Sequence, residues 1–330
     1  MTSARRTLID PKTTPYYHCM ARCVRRAFLC GEDHLTGKSF EHRKSWVVER
    51  LEELSSVFGI EVCAYAVMSN HYHVVLYVDS EKCSAWSTEE VLRRWVCLFS
   101  GPLLVQRFLS SLVTSKAELD RVNEFAREYR QRLQSISWFM RCLNENLARR
   151  ANEEDSCKGR FWEGRFKSQA LLDDAALLSC MAYVDLNPVR AGVSELPEDS
   201  DFTSLQQRIN QWKRSCARAT NRQPKNIKPF RIQGQRQELA IPFALVDYME
   251  LVDWSGRAIR DDKRGSIPAS VPPILSRLDI NPDEWLYTLR PSGFGFIRAV
   301  GRVENLLSYA RKLGQQWVHG LKASDRLFAR

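Results

Sequence analysis

The apolar positions change period several times along the chain. Tyr16 to Cys23 follows the turn-forming Thr13-Thr14-Pro15 and reads as a first strand. From Phe40 to Phe58 the spacing is helical, through Trp46, Val47, Leu51, Leu54 and Phe58, and Gly59 stands where a C-terminal cap closes a helix. Ile60 to Met68 and His71 to Val78 are both rich in β-formers, and Ser69-Asn70 between them predicts a two-residue hairpin turn. Ser84 to Ala151 turns helical and charged. It is strongly polar from Glu118 to Gln134 and then carries an apolar stripe of Trp138, Phe139, Leu143 and Leu147. Phe161 to Leu172 predicts a further strand running into a turn at Asp173-Asp174. The short helix after it must stop near Asn187, because Pro188 pushes the residue before it out of the helical region.

Arg208 to Gln237 breaks this pattern with nine Lys or Arg and no acid. The chain therefore divides into a unit over 1–200 with a helical insertion at about 80–150, a basic linker or arm over 201–240, and a C-terminal module over 241–330 with its own apolar segments. A length of 330 residues, 44% hydrophobic and 27% charged, supplies the core that such a division needs.

Forty-nine Lys and Arg against thirty-nine Asp and Glu leave a net +10, which favours a polyanionic partner, nucleic acid before an anionic membrane surface. No apolar run approaches the length of about 18 residues that a membrane span needs. The basic start, Met1 to Arg6, leads into Leu8-Ile9-Asp10-Pro11 without the apolar region of a secretory signal, so the expected location is the cytoplasm, at the nucleoid. The ten cysteines lie at irregular intervals without one C-x-x-C pair and read as reduced thiols, several of them core residues. His18, Cys19, Cys23, Cys30 and His34 are zinc-type ligands, but their spacing matches no zinc motif.

Ser69-Asn70-His71-Tyr72-His73-Val74-Val75 is the most informative run. On a strand, residues two apart share a face, so His71 and His73 project together and can hold one divalent cation from one side. Two half-buried or surface histidines would give the same pattern. The second run is Ser179 to Gly192; with the two leucines just before it, Leu177, Leu178, Met181 and Val184 form a stripe that docks on a sheet, while Tyr183 falls roughly opposite it, one turn from Asn187. Asp185 intrudes on the buried side, where the helix is ending.

Together these marks resemble the REP-associated tyrosine transposases, within the HUH class of single-tyrosine, single-strand DNA transposases. The resemblance runs from about Tyr16 to Val193. It rests on Tyr65-Ala66-Val67-Met68-Ser69-Asn70-His71-Tyr72-His73, on Gly164-Arg165-Phe166-Lys167, and on Tyr183 followed by Asn187-Pro188-Val189-Arg190-Ala191-Gly192. It implies an α+β fold, a ferredoxin-like antiparallel sheet with helices mainly on one face. It also implies His71 and His73 as metal ligands, Asn187 as a third, amide ligand, and Tyr183 as the nucleophile. The stretch from about Ser80 to Ser135 is longer than in compact members of the family. The C-terminal 130 residues lie outside the catalytic unit, although some larger members share a segment like Leu251 to Arg257.

The implied chemistry is metal-dependent cleavage and rejoining of single-stranded DNA at hairpin-forming palindromic repeats, through a 5′-phosphotyrosine. A phenol with a pKa of about 10 needs its proton withdrawn or its anion stabilised before it attacks. Mixed nitrogen and oxygen ligation suits Mg²⁺ or Mn²⁺, with Mn²⁺ better matched to imidazole. The partner is then hairpin DNA, bound by a monomer or a homodimer. Lys158, Arg160, Trp162, Arg165 and Lys167 interleave cations with rings, as single-strand binders do, although the rings equally suit a core edge. Arg190 and, from the basic run, Lys213, Arg214, Arg218 and Arg222 complete the expected phosphate contacts. Ser292 to Ile297 is similar to an RNA-binding RNP1 run but lacks its leading cation and final aromatic, and reads as a turn. Two rivals remain. One is a domesticated binder of DNA or RNA hairpins, against which the intact His71, His73 and Tyr183 set weighs. The other is a zinc hydrolase, for which no H-E-x-x-H or comparable motif is present.

Overall fold

A computed structural model describes residues 9–24, 29–32, 37–113, 115–217, 223–224, 226–232, 240–259, 272–289 and 297–328. The order of elements is β1 (Tyr16–Arg22), α1 (Arg43–Val57), β2 (Ile60–Val67), β3 (His71–Val78), α2 (Ser80–Ala85), α3 (Thr88–Val96), α4 (Leu103–Leu109), α5 (Lys116–Leu133), α6 (Ile136–Glu154), β4 (Lys167–Leu171) and α7 (Asp174–Asp185). There follow α8 (Asn187–Arg190), α9 (Ser204–Ala217), β5 (Phe230–Arg231), β6 (Ile241–Ala244), α10 (Leu245–Ile259), α11 (Pro273–Arg277), α12 (Pro282–Leu289), β7 (Ala299–Val300), α13 (Val303–Lys312) and α14 (Leu321–Leu327). None of the described helices is long and apolar enough to cross a membrane.

The main sheet runs β2-β3-β1-β4-β7. Its first four strands pair antiparallel, and α1 and then α2 to α6 form the two crossovers, so the topology is the ferredoxin-like split β-α-β. The hairpin turns at Ser69-Asn70 as expected, with Met68 N–H donating to the His71 carbonyl at 2.9 Å. β7 then adds parallel to β4.

Helices cover both faces of the sheet, where the resemblance implies mainly one. Tyr17, Cys19, Tyr72, Val74 and Leu76 join α1, α3, α5 and α6 in one core, while Val75 and Leu171 join α7, α10 and α12 in the other. A bulge at Cys63 sets this division in β2. It switches the alternation, so that Val62, Tyr65 and Val67 face the first core and Ala64 and Ala66 the second.

Gly59 does not cap α1 in a left-handed conformation. A Cβ there would meet Cys83 Sγ at 1.8 Å, so it is close packing that requires glycine. The strand expected over Phe161 to Leu172 shortens to β4. Residues 161–166 form a loop tied to β1 by the Cys23–Trp162 bridge and by Glu163 N–H donating to the Arg22 carbonyl at 2.8 Å.

The basic run from Arg208 is not a free linker in its described part. Arg208 is fully buried on α9, donates from one terminal nitrogen to the Cys63 and Lys228 carbonyls at 2.8 and 2.9 Å, and lies over the Phe230 ring. Lys228 is also buried, with its ammonium 2.6 Å from Glu61. These groups cover the outer edge of β2 and satisfy the carbonyl that the bulge leaves without a strand partner. Nor does the segment beyond residue 240 stand apart as a module. β7 completes the sheet, and Tyr248, Leu251, Val252 and Trp285 share one core with Leu178, Met181 and Val184 of α7.

Asp185, the acid on the buried side of α7, is a tie point. It accepts from Ser204 Oγ at 2.6 Å, Leu205 N–H at 3.0 Å and Tyr248 Oη at 2.5 Å, and so fastens α9 and α10 to α7.

Candidate functional site

His71 and His73 lie on β3, an interior strand, and the alternation turns both rings to the face covered by α7. Their ring centroids are 5.0 Å apart. His71 Nδ1 bonds the side-chain oxygen of Asn70 at 2.6 Å. An amide oxygen only accepts, so Nδ1 carries the proton and Nε2 the lone pair. His73 Nδ1 meets His18 Nε2 at 2.8 Å, which leaves its Nε2 outside that contact. Burial is the first cause of a lowered pKa at both rings. His71 falls to about 4, with Arg22 adding to the effect, and His73 falls well below the usual value, with His18, His71 and Arg190 contributing.

Tyr183, on the last turn of α7, is half-buried, and its ring centroid is 5.9 Å from that of His73 and 6.3 Å from that of His18. Tyrosine and histidines of one chain therefore meet. The Arg190 guanidinium lies 4.1 Å over the Tyr183 ring, and its Nε donates to the Leu289 carbonyl. Asn187 opens α8, one turn beyond Tyr183, with Pro188 in the first-turn position that tolerates it. It is 8% exposed, and its side-chain nitrogen has no hydrogen-bond partner among the described residues.

The residues present fit a divalent cation. Ligation needs neutral imidazoles with an accessible lone pair, and burial holds both rings neutral while each Nδ1 is already engaged. No three His, Cys, Asp or Glu side chains gather around one point among the described residues. The donors that the structure brings together are the two imidazoles; the unpartnered Asn187 atom is its amide nitrogen, which donates and does not itself ligate. The zinc grouping fails. His18 and Cys19 occupy adjacent positions on β1 and face opposite cores, and His34 lies outside the described residues.

Cations surround the histidines. Arg22 is directly across from His71, and Met20 pairs with both His73 and Lys167, so Arg22 and Lys167 stand on the histidine face. Lys158, Arg160, Arg165 and Lys167 are all exposed. Phe161 and Phe166 are buried, and Trp162 closes the core, its indole donating to the Asn144 carbonyl at 2.8 Å and its ring edge-on to Tyr72. Trp162 is thus a packing residue here and not an open base-stacking platform. Lys213 and Arg214 are exposed on α9, the helix that Arg208 ties to the outer edge of β2. Arg218 and Arg222 lie outside the described residues, as do Ser292 to Phe296 of the RNP1-like run.

The chain matches no protein-family model and no curated protein. Among solved structures it is similar to a REP-associated tyrosine transposase bound to a REP hairpin, at 13% identity and a TM-score of 0.36, over 73% of this chain and 97% of that one. A likeness of that size carries no functional weight.

Three site residues escape a reading of the sequence. His18 is fully buried beside His73, Gln169 is fully buried beside His18, and Arg22 flanks His71. Alternation along β1 puts His18, Met20 and Arg22 on one face, which is a usable signal. That this face is the one bearing His71 and His73 depends on cross-strand register, which a single sequence does not reveal.

Proposed function

We propose that this chain cuts and rejoins single-stranded DNA with Tyr183 as the nucleophile, at hairpin-forming palindromic repeats. The observation that carries this reading is the meeting of Tyr183 with His73 and Arg190 on one sheet face, beside a second neutral imidazole. The Tyr183 oxygen attacks the phosphorus and the bond to the 3′ oxygen breaks. The product is a 5′-phosphotyrosine and a free 3′-hydroxyl, which takes up a proton as the phenol gives one to solvent. Attack by another 3′-hydroxyl reverses the step and joins strands without an external energy source, because the phosphodiester bond energy is kept. Arg190 holds its positive charge over the Tyr183 ring and offsets charge that develops at phosphorus. Mg²⁺ or Mn²⁺, held by His71, His73 and Asn187, would withdraw charge from a non-bridging phosphate oxygen. Arg22, Arg165 and Lys167 supply phosphate contacts to the strand.

The test is incubation of the full chain with single-stranded hairpin oligonucleotides and Mn²⁺, resolved on a denaturing gel. A covalent protein–DNA adduct that maps to Tyr183 is expected. Tight hairpin binding without any adduct would replace this reading by that of a non-catalytic hairpin binder.

A further inference from the structure

A continuous chain of hydrogen bonds leads from the C-terminal segment to His73. The Ile297 carbonyl accepts from Gln169 Nε2 at 2.8 Å, Gln169 Oε1 meets His18 Nδ1 at 3.2 Å, and His18 Nε2 meets His73 Nδ1 at 2.8 Å. His18, Gln169 and His73 are each 3% exposed or less. The polarity of this chain has one solution for neutral rings. A backbone carbonyl can only accept, so the Gln169 atom facing it is the nitrogen and the atom facing His18 is the oxygen. That oxygen also only accepts, so His18 carries its proton on Nδ1 and offers a lone pair at Nε2. His73 must then donate from Nδ1, which leaves its own lone pair on Nε2.

We infer that His18 and Gln169 are positioning residues, which take the fixed polarity of the Ile297 carbonyl and pass it across β4 and β1 to hold His73 in the one tautomer able to ligate a cation through Nε2. His18 is fully buried, which disfavours a charged ring and suits the neutral form that the chain requires. The role of the segment leading into β7 follows: the Ile297 carbonyl, two residues before that strand, sets the protonation pattern of the site from a distance. A ligating histidine whose other ring nitrogen is fixed by an outer hydrogen bond binds metal more tightly, and loss of such a partner typically costs about 10- to 100-fold in affinity. The inference rests on the proposed metal-assisted reading, but its first readout is independent of metal.

The full-length protein carrying ¹⁵N-labelled histidine, without metal, should show His73 as the Nδ1–H tautomer, assigned by loss of its signals in His73→Asn. Mn²⁺ alone is then titrated, with the free ion followed by electron paramagnetic resonance. His18→Leu and Gln169→Leu should weaken Mn²⁺ binding about 10- to 100-fold. His18→Gln should restore most of it, because its amide oxygen can accept from His73 while its nitrogen donates to Gln169. An Nε2–H tautomer at His73 in the wild type would overturn the inference, as would wild-type affinity in folded Leu variants. If the Leu variants do not fold by circular dichroism, the tautomer in the wild type and in His18→Gln decides. If the wild type binds no Mn²⁺, the metal reading fails and the tautomer still decides the positioning role.

Discussion

The ring of Tyr183 stands edge-on to that of His73, with centroids 5.9 Å apart and planes at 81°. A phenol on α7 and an imidazole on β3, 110 positions apart in sequence, are thus held as one unit by the packing of α7 on the sheet. Tyr183→Phe keeps the ring and its edge contact and removes only the oxygen. Cleavage of a hairpin oligonucleotide should fall to background, with binding by fluorescence anisotropy unchanged within about twofold. Adduct formation at the wild-type rate in the purified variant would rule out Tyr183 as the nucleophile.

Arg190 lies over the same ring from α8, and its Nε is anchored on the Leu289 carbonyl. A fixed guanidinium over the nucleophile's ring, where charge develops in the reaction, stabilises the transition state more than the bound strand. Arg190→Gln should therefore slow single-turnover cleavage roughly 10²-fold and weaken hairpin binding far less. Equal losses in rate and affinity would reduce Arg190 to an ordinary phosphate contact.

The histidine pair and the hairpin that carries it were legible because their signals are local, two-residue alternation and a two-residue turn. The tyrosine helix was legible as a helix, but Tyr183, expected opposite the sheet-docking stripe, meets His73 on the sheet because α7 is buried almost all round. The rest depends on pairing. The polar stretch in α5 hides a buried stripe, Val122, Ala126, Tyr129 and Leu133, and Tyr129 stacks on Trp95 of α3 at 4.4 Å. Spacing of 4, 3 and 4 was present, but the charges between these residues masked it. Arg208 and Lys228 read as part of a basic linker or arm because a cation in sequence carries no mark of burial. Only the bulge at Cys63 and the edge position of β2 give them carbonyl and carboxylate partners. His18 was visible as a residue and invisible as a neighbour of His73, since register across β1 and β3 is not written in either strand alone.

Asp185 carries the junction of α7, α9 and α10. Asp185→Ala leaves Ser204 Oγ, Leu205 N–H and Tyr248 Oη without their acceptor in a dry interior. A loss of about 3 kcal/mol or more is expected from urea unfolding, against about 1 to 2 kcal/mol for Tyr248→Phe, which leaves only Asp185 Oδ2 without its donor. If Asp185→Ala costs no more than Tyr248→Phe, the three-way tie contributes little to stability.

The thiols divide by burial. Cys97 and Cys157 are exposed, whereas Cys63, Cys83, Cys142 and Cys180 are buried. Burial raises all four of the latter, Cys63 to about 12 and Cys83 and Cys142 to about 11. A thiol so raised stays protonated and unreactive at pH 8. Native protein treated with a disulfide reagent at that pH should label rapidly at Cys97 and Cys157, with these four reacting only after denaturation. Rapid native labelling of Cys63 or Cys180 by peptide mapping would contradict the packing of α7 on the sheet.

The last prediction separates the two basic surfaces. Arg22 and Lys167 flank the histidines by strand register, and Arg165 is exposed two residues before Lys167. Lys213 and Arg214 are exposed on α9 instead. Each phosphate contact on a single strand contributes about −0.7 to the slope of log affinity against log salt, so replacing Arg22, Arg165 and Lys167 together by Gln should flatten that slope by about 2. Replacing Lys213 and Arg214 should leave it unchanged within error. Because phosphate contacts position a strand without reading its bases, the triple variant should weaken cognate and scrambled hairpins alike. A slope that responds to Lys213 and Arg214 and not to the triple variant would mean that the strand runs along α9, and the histidine face would then lose its claim to the DNA.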